Sequence, residues 1–118
     1  QPKIAKQIRN MLEMAVSDKG TGSTARVARY RIAGKTGTTK MIIDGAYTEG
    51  RYRALFAGFG PASNPRLVMV VVINDPRGEY YYGGNVAAPV FSKVMSGALR
   101  LLNVPPDREP AEHKKGEA

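Results

Sequence analysis

Cysteine is absent from this chain, and histidine occurs once, at His113. The first absence excludes thiol nucleophiles, thiolate metal sites and disulfides. The second, with His113 set among charged residues, removes a histidine-based triad or zinc site, and no metal or other cofactor is expected. No apolar run approaches the ~18–20 residues of a membrane span, and no signal peptide opens the chain. A start methionine is missing too. Gln1-Pro2 runs straight into helical periodicity, so the chain is expected to be an excised or cleaved piece of something longer. Acidic residues are scarce, 10 against 18 Lys and Arg, which leaves a net charge of +8. Arg26, Arg29, Arg31, Lys35, Lys40, Arg51 and Arg53 fall in one stretch, opposed locally only by Asp44 and Glu49. Such a field can attract nucleic acid, an anionic membrane surface or an acidic substrate. The charges neither repeat along a helix nor interleave with aromatics as in single-strand binders. A generic basic surface and a field for an anionic substrate are the two readings left.

What is present suits one small folded domain: 118 residues, 42% hydrophobic and 24% charged. Lys3 to about Ser17 reads as an amphipathic helix, with Ile4, Ile8, Met11, Leu12, Ala15 and Val16 on one stripe and Gly20 as its C-cap. Gly20-Thr21-Gly22-Ser23-Thr24-Ala25 has the spacing of a dinucleotide fingerprint, but it follows a helix and opens none. That match is chance, and the stretch reads as a mobile connection.

The centre of the chain is Lys35-Thr36-Gly37-Thr38, inside a strand expected to run on to Lys40. Period-two alternation puts Thr36 and Thr38 on one face and Lys35 and Gly37 on the other. Two hydroxyls about 7 Å apart, with backbone N–H groups between them, can hydrogen-bond a carboxylate. Lys35 adds positive potential, and its long stem can curl around the strand edge. Gly37 lets another element approach the backbone. A plain polar edge strand explains the tetrapeptide equally well. A phosphate loop does not: the motif needs a glycine where Arg29 stands and a helix where Met41-Ile42-Ile43-Asp44-Gly45 follows.

Beyond a turn-rich excursion from Asp44 to Gly50, Arg53–Gly60 reads as a second strand. Leu67–Ile73 is apolar on both faces, so it is expected to be central and covered on both sides. The short connections favour an antiparallel meander with the Lys35 strand at its edge. Glu79–Gly84 sets three tyrosines beside paired glycines. A closing helix opens at Pro89 and is expected to bury Val90, Phe91, Val94, Met95, Ala98, Leu99 and Leu102. Pro105-Pro106 stops it. The charged tail, residues 107–118, is expected to be disordered.

Taken together, Val27–Lys40, Arg53–Pro76 and Tyr81–Phe91 resemble the C-terminal part of class B penicillin-binding proteins, the cell-division peptidoglycan D,D-transpeptidases among them. The resemblance covers most of residues 1–106. It implies an α+β fold in which a three-strand antiparallel meander is flanked by an N-terminal and a C-terminal helix, part of a larger transpeptidase domain. It implies a serine enzyme that cross-links stem peptides ending in D-Ala-D-Ala during septum formation and is acylated by β-lactams. By resemblance, Lys35 supplies positive charge, and the hydroxyls of Thr36 and Thr38 bind the substrate carboxylate beside Gly37. The Thr38 backbone N–H would be one oxyanion-hole donor. Tyr81, Tyr82 and Gly83 match an aromatic loop bordering the family's cleft; a local cluster packed under the closing helix explains the tyrosines equally well. The resemblance further implies the periplasmic face of the bacterial inner membrane, divisome partners and no nucleic acid.

One departure limits all of this. The family's Ser-x-x-Lys nucleophile motif and its Ser-x-Asn motif do not occur in the sequence. A serine nucleophile needs an adjacent base, and no local pair supplies one. Both motifs lie upstream of the Lys-Thr-Gly strand in the family, so an upstream segment of the same domain is the expected partner. On its own, the Leu67–Ile73 strand is then expected to show an unpaired edge and an uncovered apolar face. A D,D-carboxypeptidase or serine β-lactamase piece remains an alternative within the superfamily. A basic nucleic-acid module, or an interaction module recruiting a partner strand, remains one outside it.

Overall fold

The computed structural model describes residues 1–109. Its elements are helix α1 (Pro2–Ala15), a 3-10 turn (Ser23–Ala25), strands β1 (Ala33–Ile43), β2 (Ala46–Gly60) and β3 (Leu67–Asn74), the single-turn helix α2 (Gly83–Val86) and helix α3 (Ala88–Leu101). The three strands form one antiparallel sheet in the order β1-β2-β3. The meander and its two flanking helices are as the sequence leads one to expect.

The excursion after the Lys35 strand is a correction. Asp44 and Gly45 both have positive φ, 52° and 82°, and Ile43 pairs directly with Ala46. Asp-Gly is the preferred pair for such a two-residue hairpin turn, so the chain doubles straight back into a longer β2. Irregularity lies at the register shift between Lys40 and Ile42, where residues 48–51 of β2 bulge opposite Met41 and Gly50 takes a φ of 74°.

The core lies between one sheet face and α3. Phe56 is fully buried and meets the Phe91 ring at 4.6 Å with a 60° tilt. Met95 and Leu99 continue the α3 stripe, and Val16, Val27, Tyr30 and Ile32 close the cluster from the N-terminal side. Leu67, Met69, Val71 and Ile73 of β3 pack against it. The buried face of α3 is therefore the narrower Phe91-Met95-Leu99 line, while Val90, Val94 and Leu102 are exposed. In α1 no residue is buried, and Ile4, Ile8 and Met11 face solvent; only Val16, the residue that caps the helix, enters the core.

Among the described residues β3 has the unpaired edge and uncovered apolar face expected of the chain on its own, and is not the central, doubly covered strand that its apolar run suggests. It pairs with β2 alone, and β2 is the central strand. Val68, Val70 and Val72 are 78%, 59% and 47% exposed because α3 covers the other face. The run is apolar on both sides, but only one side finds a partner among the described residues.

Past α3 the chain is tied back to the lead-in of β1. The Tyr30 hydroxyl donates to the Val104 carbonyl at 2.6 Å inside the core. Asp107 accepts from the Arg31 N–H at 2.7 Å and from the Ser63 hydroxyl at 2.6 Å. The expected charged tail thus begins with residues bonded to the fold; 110–118 lie outside the described residues.

Candidate active-site strand

Lys35, Thr36, Gly37 and Thr38 sit in the first half of β1, an edge strand whose only strand partner among the described residues is β2. Thr36 pairs with Phe56 and Thr38 with Ala54, both buried, so the two threonines share the face that carries α2 and α3. Lys35 pairs with Ala57 and Gly37 with Leu55 on the opposite face. Even so, Lys35 Nζ lies 3.4 Å from both the Thr36 carbonyl and Thr36 Oγ1. The β2 side of the strand is occupied by its partner, so the lysine stem curls around the open edge, as its length permits. That contact also orients the backbone. Thr36 turns its carbonyl to the open edge, and with period two the N–H of Thr38 faces the same way. An ammonium, two hydroxyls and an unpaired backbone donor converge on one short length of exposed strand.

The aromatic turn closes one end of this edge. Gly83 donates its N–H to Thr38 Oγ1 at 3.0 Å. An N–H can only donate, so Thr38 accepts there and keeps its own proton for a ligand. A Cβ on Gly83 would stand 2.3 Å from the Leu55 carbonyl and 2.8 Å from the Gly37 carbonyl, so only glycine lets this turn lie on the β1–β2 backbone. The tyrosines do not pack under α3. Tyr81 stacks on Tyr52 of β2 at 4.0 Å and 9°, and Tyr82 meets Tyr81 at 4.5 Å with its ring largely exposed. The Tyr81 hydroxyl donates to that of Tyr82 at 3.2 Å.

Tyr52 was not singled out in the sequence, although a signal existed. Stepping back from Phe56 by twos puts it on the face shared by Thr36 and Thr38. Thr21 and Thr24 carried no such signal. Thr21 Oγ1 lies 3.2 Å from Thr36 Oγ1, and the Thr24 hydroxyl donates to the Gly84 carbonyl. The stretch from Gly20 to Ala25, read as a mobile connection, is bonded to both halves of the site.

The basic stretch is less naked than its sequence. Glu13 takes Arg31 in a two-pronged pair at 2.7 and 2.9 Å, and Asp18, Glu49 and Asp75 take Arg26, Lys40 and Arg51. Three of those four carboxylates come from outside the stretch, which is why counting along it overstated its charge. Lys35 has no carboxylate partner among the described residues. Lys35 thus brings a positive charge without a counter-ion to the threonine pair, while Arg29 and Arg53 are the other cations of the stretch with no carboxylate partner among the described residues.

The Arg51–Asp75 pair, with 2.7 Å between Nε and Oδ1, borders the tyrosine stack. Its hydrogen bond from Arg51 holds the Asp75 carboxyl below the usual carboxylate range, outweighing the opposing effect of burial. Because the shift is downward, the pair's contribution is present above the unfolded-state value and is lost as pH falls through the folded one. An NMR titration should place the Asp75 midpoint below that of a free aspartate, and Arg51→Gln should raise it.

With this geometry in place, comparison with known proteins is informative. Residues 1–96 match the penicillin-binding protein transpeptidase domain family. The chain belongs to that family. It is 48% identical over 105 residues to the peptidoglycan D,D-transpeptidase FtsI of Escherichia coli, which covers 88% of this chain and 18% of FtsI. It is 46% identical over 106 residues to the probable peptidoglycan D,D-transpeptidase PbpC of Pseudomonas aeruginosa, covering 90% of this chain and 19% of that protein. The transpeptidase domain of penicillin-binding protein 3 from Burkholderia pseudomallei superposes with a TM-score of 0.82 at 41% identity, over 92% of this chain and 33% of that one. The kinship with class B penicillin-binding proteins expected from the sequence is borne out. The chain spans about a fifth of the length of those curated relatives, at 18% and 19%.

Proposed function

We propose that this chain supplies the substrate-binding and oxyanion strand of a serine D,D-transpeptidase that cross-links peptidoglycan stem peptides at the septum and is acylated by β-lactams. The observation that carries the reading is the convergence of Lys35 Nζ, the Thr36 and Thr38 hydroxyls and the outward Thr38 N–H on one open strand edge. The incoming acyl-D-Ala-D-Ala peptide, or a β-lactam in its place, adds as a further strand along that edge. Its carboxylate accepts from the Thr36 and Thr38 hydroxyls under the potential of Lys35. Its scissile carbonyl oxygen rests on the Thr38 N–H, where negative charge develops as the serine attacks; a donor in that position is typically worth ~10²–10³ in rate. Gly37 spares the opposite face a clash, since a Cβ there would stand 3.0 Å from the Leu55 side chain. Tyr81, Tyr82 and Gly83, joined by Tyr52, wall one end of the cleft.

The serine comes from an upstream segment of the same domain. The face of β3 bearing Val68, Val70 and Val72 supports this, because it is an uncovered apolar surface on the same side of the sheet as the Lys35 stem. On this reading the assembled enzyme works at the periplasmic face of the inner membrane among divisome proteins, which the likeness to FtsI supports. No helix among the described residues is long and apolar enough to cross a membrane.

Intact mass spectrometry tests the proposal on the assembly of this chain with its serine-bearing segment. After incubation with benzylpenicillin, one penicilloyl adduct is expected on the serine segment and none within residues 1–118. An assembly that gains no mass, or an adduct on this chain, defeats the reading.

A further inference from the structure

The stretch Gly20–Ala25 is what the proposed function leaves unused. Its local structure is specific. The Gly22 N–H donates to the Ala15 carbonyl at 2.9 Å, which turns the chain sharply off the end of α1. Ala25 is fully buried, and Thr24 is bonded to the Gly84 carbonyl. Those contacts hold the Thr21 side chain against β1, with Oγ1 3.2 Å from Thr36 Oγ1.

Proton direction decides what that contact does. Lys35 Nζ is only a donor and lies 3.4 Å from Thr36 Oγ1, so Thr36 accepts there. A hydroxyl has one proton. If Thr36 spends it on Thr21, a carboxylate arriving at the edge meets an oxygen with nothing to donate. If Thr21 donates instead, Thr36 accepts twice and its proton is left pointing at the ligand. An anion rewards the second arrangement, because a hydrogen bond to a charged acceptor is worth about twice a neutral one. Hydrogen bonds in a chain also strengthen one another.

We propose that Thr21 is a positioning residue for carboxylate recognition: its hydroxyl donates to Thr36 Oγ1, and Thr36 in turn donates to the carboxylate of the acyl ligand. Thr21 does not touch the ligand. It fixes which way the Thr36 proton points, and the adjacent Gly83 N–H does the same for Thr38. The two hydroxyls thus reach the ligand as donors, each set by a neighbour from a different part of the chain. This inference rests on the carboxylate-binding role proposed above for Thr36 and Thr38.

The test compares benzylpenicillin with its methyl ester as acylating agents for the assembled enzyme, which separates carboxylate recognition from general integrity. Thr21→Val keeps the shape and removes the donor; Thr21→Ser keeps the donor. The ratio of acid to ester acylation rate is expected to fall roughly fivefold in Thr21→Val, about the worth of one hydrogen bond. In Thr21→Ser the ratio should return to near the parent value. An equal loss for both agents would make Thr21 a merely structural residue and overturn the proposal. Failure of the serine variant to restore the ratio would overturn it too. Should the parent enzyme itself show no preference for the acid, the carboxylate role of Thr36 and Thr38 falls, and this inference with it.

Discussion

Lys35→Met is expected to lower the rate of acylation by benzylpenicillin about 10- to 100-fold, the scale of a lost hydrogen bond to a charged group. The melting temperature should stay within about 2 °C of the parent, as for other surface substitutions. Lys35 is exposed, and among the described residues it makes no ion pair and its ammonium is hydrogen-bonded only to Thr36. Folding therefore gains little from its charge. A ligand carboxylate gains a great deal once the serine-bearing segment covers the site and lowers the local dielectric. Methionine keeps the length of the stem and loses only the ammonium. Lys35→Arg keeps the charge but replaces a compact ammonium with a planar fork, which does not fit where the stem must round the strand edge. It should recover part of the loss. Stopped-flow acylation and a thermal melt on the same samples check this. A methionine variant that acylates at the parent rate would remove Lys35 from the site.

The parts of the fold that were legible in the sequence are those governed by local repeat. Alternation located β1, β2 and β3, and helical period located α1 and α3, because each repeat follows from the geometry of one element. What a repeat does not carry is the identity of the neighbour. Ile4, Ile8 and Met11 make a correct helical stripe, yet they face solvent in the described chain. Val90 and Val94 lie on an apolar side of α3 that meets nothing in this sheet, while Phe91, Met95 and Leu99 meet Phe56 and its neighbours. The same holds for β3, whose apolar run is satisfied on one face only.

The site divides in the same way. The two-face arrangement of Lys35, Thr36, Gly37 and Thr38 was readable because it lies within one strand. Thr21 to Thr36, Thr24 to Gly84 and Gly83 to Thr38 join residues 15, 60 and 45 positions apart. Each is one hydroxyl or one N–H meeting another group, with no periodic trace. In the sequence the Gly20–Ala25 stretch reads as a mobile connection, because its glycine-rich match to a nucleotide motif lacks the strand and helix that the motif needs. Failing one motif did not make it idle; its glycines serve a tight turn and its threonines serve as bolts.

Removing the Phe56 ring should have the largest effect on stability. Phe56→Ala is expected to cost about 3–5 kcal/mol, the usual range for deleting a buried aromatic. A domain of this kind typically has only ~5–15 kcal/mol to lose. The ring is fully buried, tilts against Phe91 and lies beneath β1, where a Cβ on Gly34 would stand 2.5 Å from its tip. Projecting from the central strand, it thus meets both the closing helix and the backbone leading into Lys35. Chemical denaturation of the assembled protein should show a lower midpoint with an unchanged slope. Phe56→Leu, which refills most of the volume, should lose much less. A second substitution tells the ring's role apart from general loosening. Gly34→Ala alone meets both the ring and the Ala57 carbonyl, the latter at 2.7 Å. In the Phe56→Ala background the ring's share of that clash disappears and the carbonyl's share stays. Gly34→Ala should therefore cost less in the double variant than alone, but more than nothing. Strict additivity would mean that the ring does not press on β1, and the strand bearing Lys35 and Thr38 would then owe its placement to its pairing with β2 alone.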